Sequence, residues 1–276
     1  MTTVALHHRI DAAPDLPGDA PTVVLAGSLG STLEMWDAQA RVLSARFRVV
    51  RFDTRGHGRS PVPDEACSIE DLADDLLVLL DRLELGTVHL AGLSLGGMTA
   101  MALAARHPER VDALALLCTS ALLGPRQGWL DRAAAVRAGG TSAVADVVVT
   151  RWFSAGYPAA HPDRVLFYRD MIAATPAAGY ASCCEAIGEM DLRAALPQIS
   201  APTLAIAGAQ DPATPPEHLR LIAGSVPGAR LLMLDPAAHL ANVEQADQVN
   251  TALLEHFSGS TVVGSTVVGS TAGGAG

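Results

Sequence analysis

Lysine is absent from this 276-residue chain, and all 19 of its Lys and Arg residues are arginine. A chain without lysine cannot form a lysine Schiff base, so that route of covalent catalysis is excluded. Basic residues of any kind are also too few to balance the acidic ones, and the formal net charge is −10. This charge argues against nucleic acid as a partner, because contact with a phosphate backbone needs a basic surface.

Membrane, secretion and metal signals are missing as well. No apolar run reaches the ~20 residues of a membrane span, and residues 1–11 lack the basic and apolar segments of a secretory signal. The cysteines form no Cys-x-x-Cys pair and no His/Cys cluster with zinc spacing. We therefore expect a soluble cytoplasmic protein with reduced thiols, no membrane association, no metal and no cofactor.

Short apolar runs alternate with helical patterns along most of the chain. The runs at 22–25, 48–52 and 111–118 are typical of buried strands. Strands separated by helices predict a parallel sheet in an α/β fold. The alternation stops between residues 121 and 197, where the pattern is mostly helical, and it resumes afterwards with a last helix at 243–257.

These changes of pattern divide the chain into three parts. Residues 1–120 and 198–257 are predicted to form the α/β core, and residues 121–197 a helical cap over it. Residues 258–276 contain a repeated Gly-Ser-Thr-Val-Val sequence without charged or aromatic residues. Such a composition is typical of a flexible tail or linker, with weak pairing to a sheet edge as the alternative.

The pentapeptide Gly92-Leu93-Ser94-Leu95-Gly96 carries the clearest chemical signal. It follows the apolar run at 87–91 and precedes the helical pattern at 97–106. In a strand–turn–helix context, Gly-x-Ser-x-Gly places the serine on a strained turn with its hydroxyl exposed, and the glycines avoid clashes. We therefore predict that Ser94 is a nucleophile.

A serine hydroxyl needs a base and a third group that orients the base. His239 follows the strand-like run at 230–234, and Asp211 follows the run at 203–207. The order Ser, Asp, His is the one used on this type of sheet. Asp211 precedes a proline and has turn initiation as its alternative role. Asp235, close to His239 in sequence, is the rival acid.

Acyl transfer also needs hydrogen-bond donors for the developing oxyanion. The backbone N–H of Leu95 follows the nucleophile and lies at a helix N-terminus. The second donor is expected from the first glycine-containing loop, and we assign it to the N–H of Ser28. Both roles belong to the backbone, so the side chains carry no information about them.

These motifs resemble the α/β-hydrolase superfamily, and more specifically its 3-oxoadipate enol-lactonases of the β-ketoadipate pathway. The resemblance covers about residues 5–257, and it is carried by the segments 28–37, 51–58, 92–97, 134–140, 151–153, 174–180, 190–193 and 238–245. It implies a mostly parallel central sheet flanked by helices, with the helical cap inserted after the sixth strand. Family members often have Ser-Asn where this chain has Ala26-Gly27, and Met where it has Leu95. Neither change removes a catalytic group.

The resemblance implies that 3-oxoadipate enol-lactone is hydrolysed to 3-oxoadipate through an acyl-Ser94 intermediate. That substrate keeps a free carboxylate, so the cap should supply a cation. Arg132, Arg137 and Arg151 are the candidates, with Trp152 as an apolar wall. We favour Arg132, although an arginine on a solvated helix face is the ordinary alternative for each.

The resemblance also concerns the end of the chain. Some relatives carry a fused carboxymuconolactone decarboxylase domain, and residues 258–276 resemble the linker to it. A tethered decarboxylase after residue 276 is therefore an expected partner.

Other functions stay open at this level. The same scaffold carries general carboxylesterases, C–C bond hydrolases and cofactor-free perhydrolases. Relatives that act as dehalogenases or epoxide hydrolases use Asp where this chain has Ser94. A ligand-binding module that keeps the fold without turnover is an alternative of a different class.

Overall fold

The computed structural model describes residues 3–63 and 65–260 of the chain. In these residues one seven-stranded sheet has the strand order β1-β3-β2-β4-β5-β6-β7. Strand β1 runs antiparallel to β3, and every other neighbouring pair is parallel. The strands are β1 (His8–Asp11), β2 (Thr22–Ala26), β3 (Arg48–Phe52), β4 (Val88–Leu93), β5 (Val111–Leu117), β6 (Thr203–Gly208) and β7 (Arg230–Leu234).

Helices flank this sheet and form the cap. They are α1 (Asp37–Leu43), α2 (Ile69–Arg82), α3 (Leu95–Arg106), α4 (Arg126–Gly139), α5 (Ser142–Val149), α6 (Tyr157–Ala160), α7 (Pro162–Ala173), α8 (Ala177–Glu189), α9 (Pro216–Ser225), α10 (Ala241–Glu244) and α11 (Ala246–Ser260). Three short 3₁₀ helices lie at Leu33–Trp36, Pro108–Arg110 and Leu196–Gln198. No helix of the described residues is long and apolar enough to cross a bilayer.

The central strands are apolar along their whole length because helices cover them. Strands β2, β4 and β6 are buried at every position, which is the pattern of parallel strands covered on both faces. Their register brings the carboxyl ends to one edge, with Ala26 opposite Gly92 and Gly208 opposite Leu234. Loops that follow β2, β4, β6 and β7 therefore meet at this edge.

Helices α4 to α8 lie between β5 and β6 and form the block predicted as a cap. Helix α4 packs against α8, and α5 packs against α7. The cap is attached to the core by polar contacts, among them a hydrogen bond of 3.0 Å from the Cys67 N–H to the Ser182 hydroxyl on α8. The helices of this block therefore pack against one another, and residues of the block and of the core line one cavity.

Three details differ from the sequence prediction. The cap follows the fifth strand and not the sixth. In the described residues five strands, β1 to β5, precede its first helix α4, and β6 follows its last helix α8. The last helix begins at Ala246, since α10 forms a separate short helix before it, and it ends at Ser260. Residues 258–260, predicted as tail, are thus helical. The rest of that tail, at 261–276, and the decarboxylase domain predicted after it lie outside the described residues.

The turn between β4 and α3 packs directly against the end of β2. A Cβ atom on Gly96 would lie 2.1 Å from the carbonyl oxygen of Ala26, and one on Gly92 would lie 2.2 Å from the carbonyl oxygen of Gly96. The N–H of Gly96 donates a hydrogen bond of 2.9 Å to the carbonyl of Gly27. Only glycine permits this approach, because the neighbouring atoms belong to the backbone.

We expect Gly96→Ala to lower the free energy of unfolding by about 1–3 kcal/mol or more, since the added methyl group must displace β2. Gly86→Ala is the matched control, because a Cβ atom there meets no heavy atom within 4 Å. Urea denaturation of both variants measures the difference. Equal stability of the two variants would contradict the close approach.

Candidate active site

Ser94 lies on the tight turn between β4 and α3. Its backbone angles are φ 56° and ψ −116°, a region that a residue other than glycine rarely adopts. The turn is held by a hydrogen bond of 3.0 Å from the Ser94 N–H to the Leu117 carbonyl and one of 2.6 Å from the Thr119 hydroxyl to the Ser94 carbonyl. The side chain lines a cavity of about 260 Å³ between core and cap.

His239 and Asp211 meet at the same edge of the sheet. His239 follows β7, lines the same cavity as Ser94, and is 3% exposed. Its Nδ1 lies 2.9 Å from Oδ2 of Asp211, which follows β6. The rival acid Asp235 is exposed and accepts a hydrogen bond of 3.1 Å from Gln210. Of the two candidate acids, it is Asp211 that contacts the imidazole.

The Asp211 carboxylate is buried but well supplied with donors. Its Oδ1 accepts from the N–H groups of Ala213 (2.8 Å) and Thr214 (3.0 Å), and its Oδ2 accepts from the Thr214 hydroxyl (2.6 Å). Burial by itself raises the pKa of Asp211, but the charge of His239 and the hydrogen bonds from His239 and Thr214 outweigh it, so this pKa lies below its ordinary value. Asp211 can therefore stay ionised and hold the imidazole in one tautomer.

The predicted oxyanion donors differ in their surroundings. Leu95 is the first residue of α3, so its N–H has no acceptor within the helix. Ser28 lines the cavity, and its N–H donates to the sulfur of Met35 at 3.2 Å. A thioether is a weak acceptor, so a negatively charged oxygen at this place would compete well for the same N–H.

Arg132 reaches the cavity from helix α4. Its guanidinium carbon lies 5.2 Å from the ring centroid of Trp129 and 5.2 Å from that of Tyr180, and its Nη2 donates to the Tyr180 hydroxyl. Burial raises the pKa of Tyr180 well above its ordinary value, so this hydroxyl stays neutral. Within the described residues no carboxylate pairs with Arg132, and its Nε has no hydrogen-bond partner.

The other predicted cap residues separate into two groups. Arg151 and Trp152 line the cavity together with Arg132. Arg151 is exposed and donates to the Pro212 carbonyl at 2.8 Å, whereas Trp152 is 3% exposed. Arg137 points away from the cavity and forms an ion pair with Glu185 on α8, with a contact of 2.8 Å. The structure thus brings Arg132, Arg151 and Trp152 to the site and leaves Arg137 outside it.

Four contributors escaped sequence reasoning. Thr214 contacts both Asp211 and His239. The sulfur of Met35 accepts the hydrogen bond of the Ser28 N–H. Trp129 and Tyr180 contact the guanidinium of Arg132. Only Thr214 had a local signal, since an Asp-Pro-x-Thr sequence is typical of a side-chain-capped turn. Tyr180 contacts Arg132 across 48 positions of the chain, whereas Met35 and Trp129 lie close in sequence to Ser28 and Arg132 but belong to no motif that marks these contacts.

The cavity has a distinct charge pattern. It contains the two arginines and His239, and the residues that line it include no carboxylate. In the ranges that the structure describes, no group of three or more His, Cys, Asp or Glu side chains is arranged to hold a metal ion. The site can therefore offer a hydroxyl, an imidazole–carboxylate pair, backbone donors and a cation.

Comparison with known proteins shows the family to which the chain belongs. Residues 21–246 match the alpha/beta hydrolase fold family. The chain is 38% identical over 235 residues to 3-oxoadipate enol-lactonase 2 of Acinetobacter baylyi, covering 85% of this chain and 88% of that protein.

A solved structure and a second class of relatives complete the comparison. The crystal structure of the enol-lactonase from Burkholderia xenovorans superimposes with a TM-score of 0.89 at 42% identity, covering 92% of this chain and 97% of that one. A candidate carbamate hydrolase, RutD of Agrobacterium fabrum, is 30% identical over 257 residues, covering 91% and 95%. These comparisons give no support to the tethered decarboxylase domain.

We expect Asp211→Asn to slow phosphonylation of Ser94 by a fluorophosphonate probe roughly 10³–10⁴-fold, because the amide favours the wrong imidazole tautomer. Asp235→Asn is the matched control and should react like wild type, since Asp235 does not touch His239. Intact-mass spectrometry measures both rates. A larger loss in Asp235→Asn than in Asp211→Asn would show that the wrong acid was assigned.

Proposed function

The chain belongs to the α/β-hydrolase fold family and is a carboxylic ester hydrolase, and on this premise we propose that it opens 3-oxoadipate enol-lactone to 3-oxoadipate in the cytoplasm. Ser94, His239 and Asp211 are its proposed catalytic residues. The observation that carries the choice of substrate is Arg132, a cation in the cavity without a carboxylate partner among the described residues.

Arg132 is well prepared for a substrate carboxylate. The contacts of its guanidinium with the rings of Trp129 and Tyr180 and its hydrogen bond to the Tyr180 hydroxyl restrict the side chain, which lowers the entropy lost on binding. A planar guanidinium presents several N–H groups to a carboxylate at once. A lactone that carries a carboxylate arm can therefore be held by Arg132 while its carbonyl lies at Ser94.

The proposed acylation step begins at Ser94. Its Oγ attacks the lactone carbonyl as His239 takes the hydroxyl proton, and Asp211 stabilises the resulting imidazolium. The N–H groups of Leu95 and Ser28 receive the oxyanion, with Ser28 exchanging the Met35 sulfur for the stronger acceptor. Collapse of the tetrahedral intermediate breaks the ring C–O bond and leaves an acyl-Ser94.

The leaving group of this ring opening is an enolate. An enolate is a better leaving group than a simple alkoxide. It takes the proton from the His239 imidazolium, which restores the neutral base, and conversion of the enol to the ketone draws the reaction forward. Water then enters the site, and His239 removes its proton as the water attacks the acyl-Ser94 carbonyl. Collapse of this second intermediate breaks the bond to Ser94 Oγ, and His239 returns the proton to Ser94. The product carries two carboxylates, one of them held by Arg132.

A general carboxylesterase is the second candidate. The walls of the cavity include the apolar side chains of Leu123, Val148, Trp152 and Ile187, which favour any small acyl group. Such walls bind a neutral ester without help from an arginine. The two candidates therefore differ in how strongly the reaction depends on Arg132.

We expect Arg132→Ala to raise KM for the enol-lactone roughly 10- to 100-fold, as expected for the loss of a hydrogen-bonded charge pair, while KM for p-nitrophenyl acetate changes little. The loss of lactone absorbance and the release of nitrophenol measure the two reactions. Arg137→Ala is the matched control, because its partner is Glu185 outside the cavity.

Two results would contradict the proposal. Equal losses on both substrates in Arg132→Ala would remove the carboxylate-binding role. Wild-type protein that hydrolyses the ester but leaves the lactone absorbance unchanged would remove the lactone as substrate and favour the second candidate.

A further inference from the structure

The loop that carries His239 connects β7 to α10 and is attached on two sides. On the core side, the N–H of Gln210 donates to the carbonyl of Ala237 at 2.9 Å. On the cap side, the N–H of Leu240 donates to the carbonyl of Trp152 at 2.9 Å. The catalytic base therefore sits on a loop that shares a backbone hydrogen bond with the wall of the cavity.

Glu244 adds a second and stronger link between the same two segments. Its Oε1 accepts from the N–H of Ser154 (2.8 Å) and from the Ser154 hydroxyl (2.7 Å). Its Oε2 accepts from the N–H of Ala238, the residue directly before His239. One carboxylate thus receives three donors, two from the cap and one from the histidine loop.

We propose that Glu244 is a positioning residue that fixes His239 relative to the cap wall. Glu244 is not among the residues that line the cavity, so it acts through the backbone of its neighbours. The cap residues Arg151 and Trp152 precede Ser154 by only a few positions. The hydrogen bonds of Glu244 therefore fix the position of this cavity wall relative to His239. The proposal rests on the proposed attack by Ser94 but not on the lactone as substrate.

The chemistry of the link requires a carboxylate rather than any polar group of this size. Both oxygens of Glu244 face N–H donors. A glutamine has one oxygen and one NH₂ group, so Glu244→Gln would turn a donor toward either Ala238 or Ser154. Two facing donors repel, and the near-isosteric change is therefore expected to release the loop.

Misplacement of a catalytic group by about 1 Å can cost roughly 100-fold in rate. Release of the loop should therefore lower the rate of attack by Ser94 on every substrate. Because the base does not hold the substrate, KM should change much less than kcat.

The test compares Glu244→Gln, Glu244→Ala, Ser154→Ala and the double variant Glu244→Gln/Ser154→Ala. Three rates are measured well below the melting temperature: lactone turnover, p-nitrophenyl acetate turnover, and phosphonylation of Ser94 by a fluorophosphonate. Glu217→Gln is the matched control, because Glu217 is exposed on α9 and pairs only with Arg220 in the described contacts.

We expect Glu244→Gln to lower kcat and the phosphonylation rate by a common factor of roughly tenfold or more. The rates of Glu244→Gln should be no higher than those of Glu244→Ala. The double variant Glu244→Gln/Ser154→Ala should react nearly as fast as Glu244→Gln, because the two residues belong to the same hydrogen-bonded link. Glu217→Gln should behave like wild type.

The opposite results overturn the inference. Wild-type phosphonylation in folded Glu244→Gln, even with a lowered melting temperature, would show a purely structural role. Additive effects of Ser154→Ala and Glu244→Gln would show that they do not act together. Failure of the lactone alone, with ester turnover and phosphonylation still dependent on Glu244, would count against the substrate and leave the positioning role supported.

Discussion

The contact between Gly96 and the end of β2 is the constraint on which the rest of the site depends. Because no Cβ atom stands between the turn and the Ala26 carbonyl, helix α3 begins directly above the sheet edge. At this turn Ser94 has strained backbone angles, and the Leu95 N–H, in the first turn of the helix, has no helical acceptor. The loop after β2 then brings Ser28 to the same place. One packing contact thus lies beneath both the proposed nucleophile and its proposed oxyanion donors.

The charged groups of this site differ in whether they have a partner of opposite charge or a set of hydrogen-bond partners within the protein. The buried Asp211 carboxylate is satisfied by three donors besides the imidazole, which fits the proposed role of orienting His239. Arg132 is the reverse case, a cation enclosed by two aromatic rings without a paired carboxylate in the described chain. A carboxylated substrate would complete the pairing, which connects the electrostatics of the cap to the proposed reaction.

Predictions made from local sequence patterns agree with the structure to a different extent than predictions made from the family resemblance. The core strands and the turn at Ser94 follow from short apolar runs and glycine spacing, and the structure contains them, together with a run of helices between β5 and β6. Strand β1 was missed, because it is short and partly exposed and has no apolar run. The cap was assigned one strand too late, since that number came from the superfamily and not from this chain.

The elements and the chemical groups can be read from the sequence, because strand, turn and helix signals lie within a few neighbouring residues. These signals placed Ser94 on its turn, and they put Asp211 and His239 at strand ends. That Asp211 and not Asp235 contacts the imidazole, and that Arg132 and Arg151 but not Arg137 line the cavity, became visible in the folded chain. Both results depend on which loops meet at one sheet edge and which face of α4 is turned to the cavity. Such contacts join residues far apart in the chain, and local spacing does not encode them.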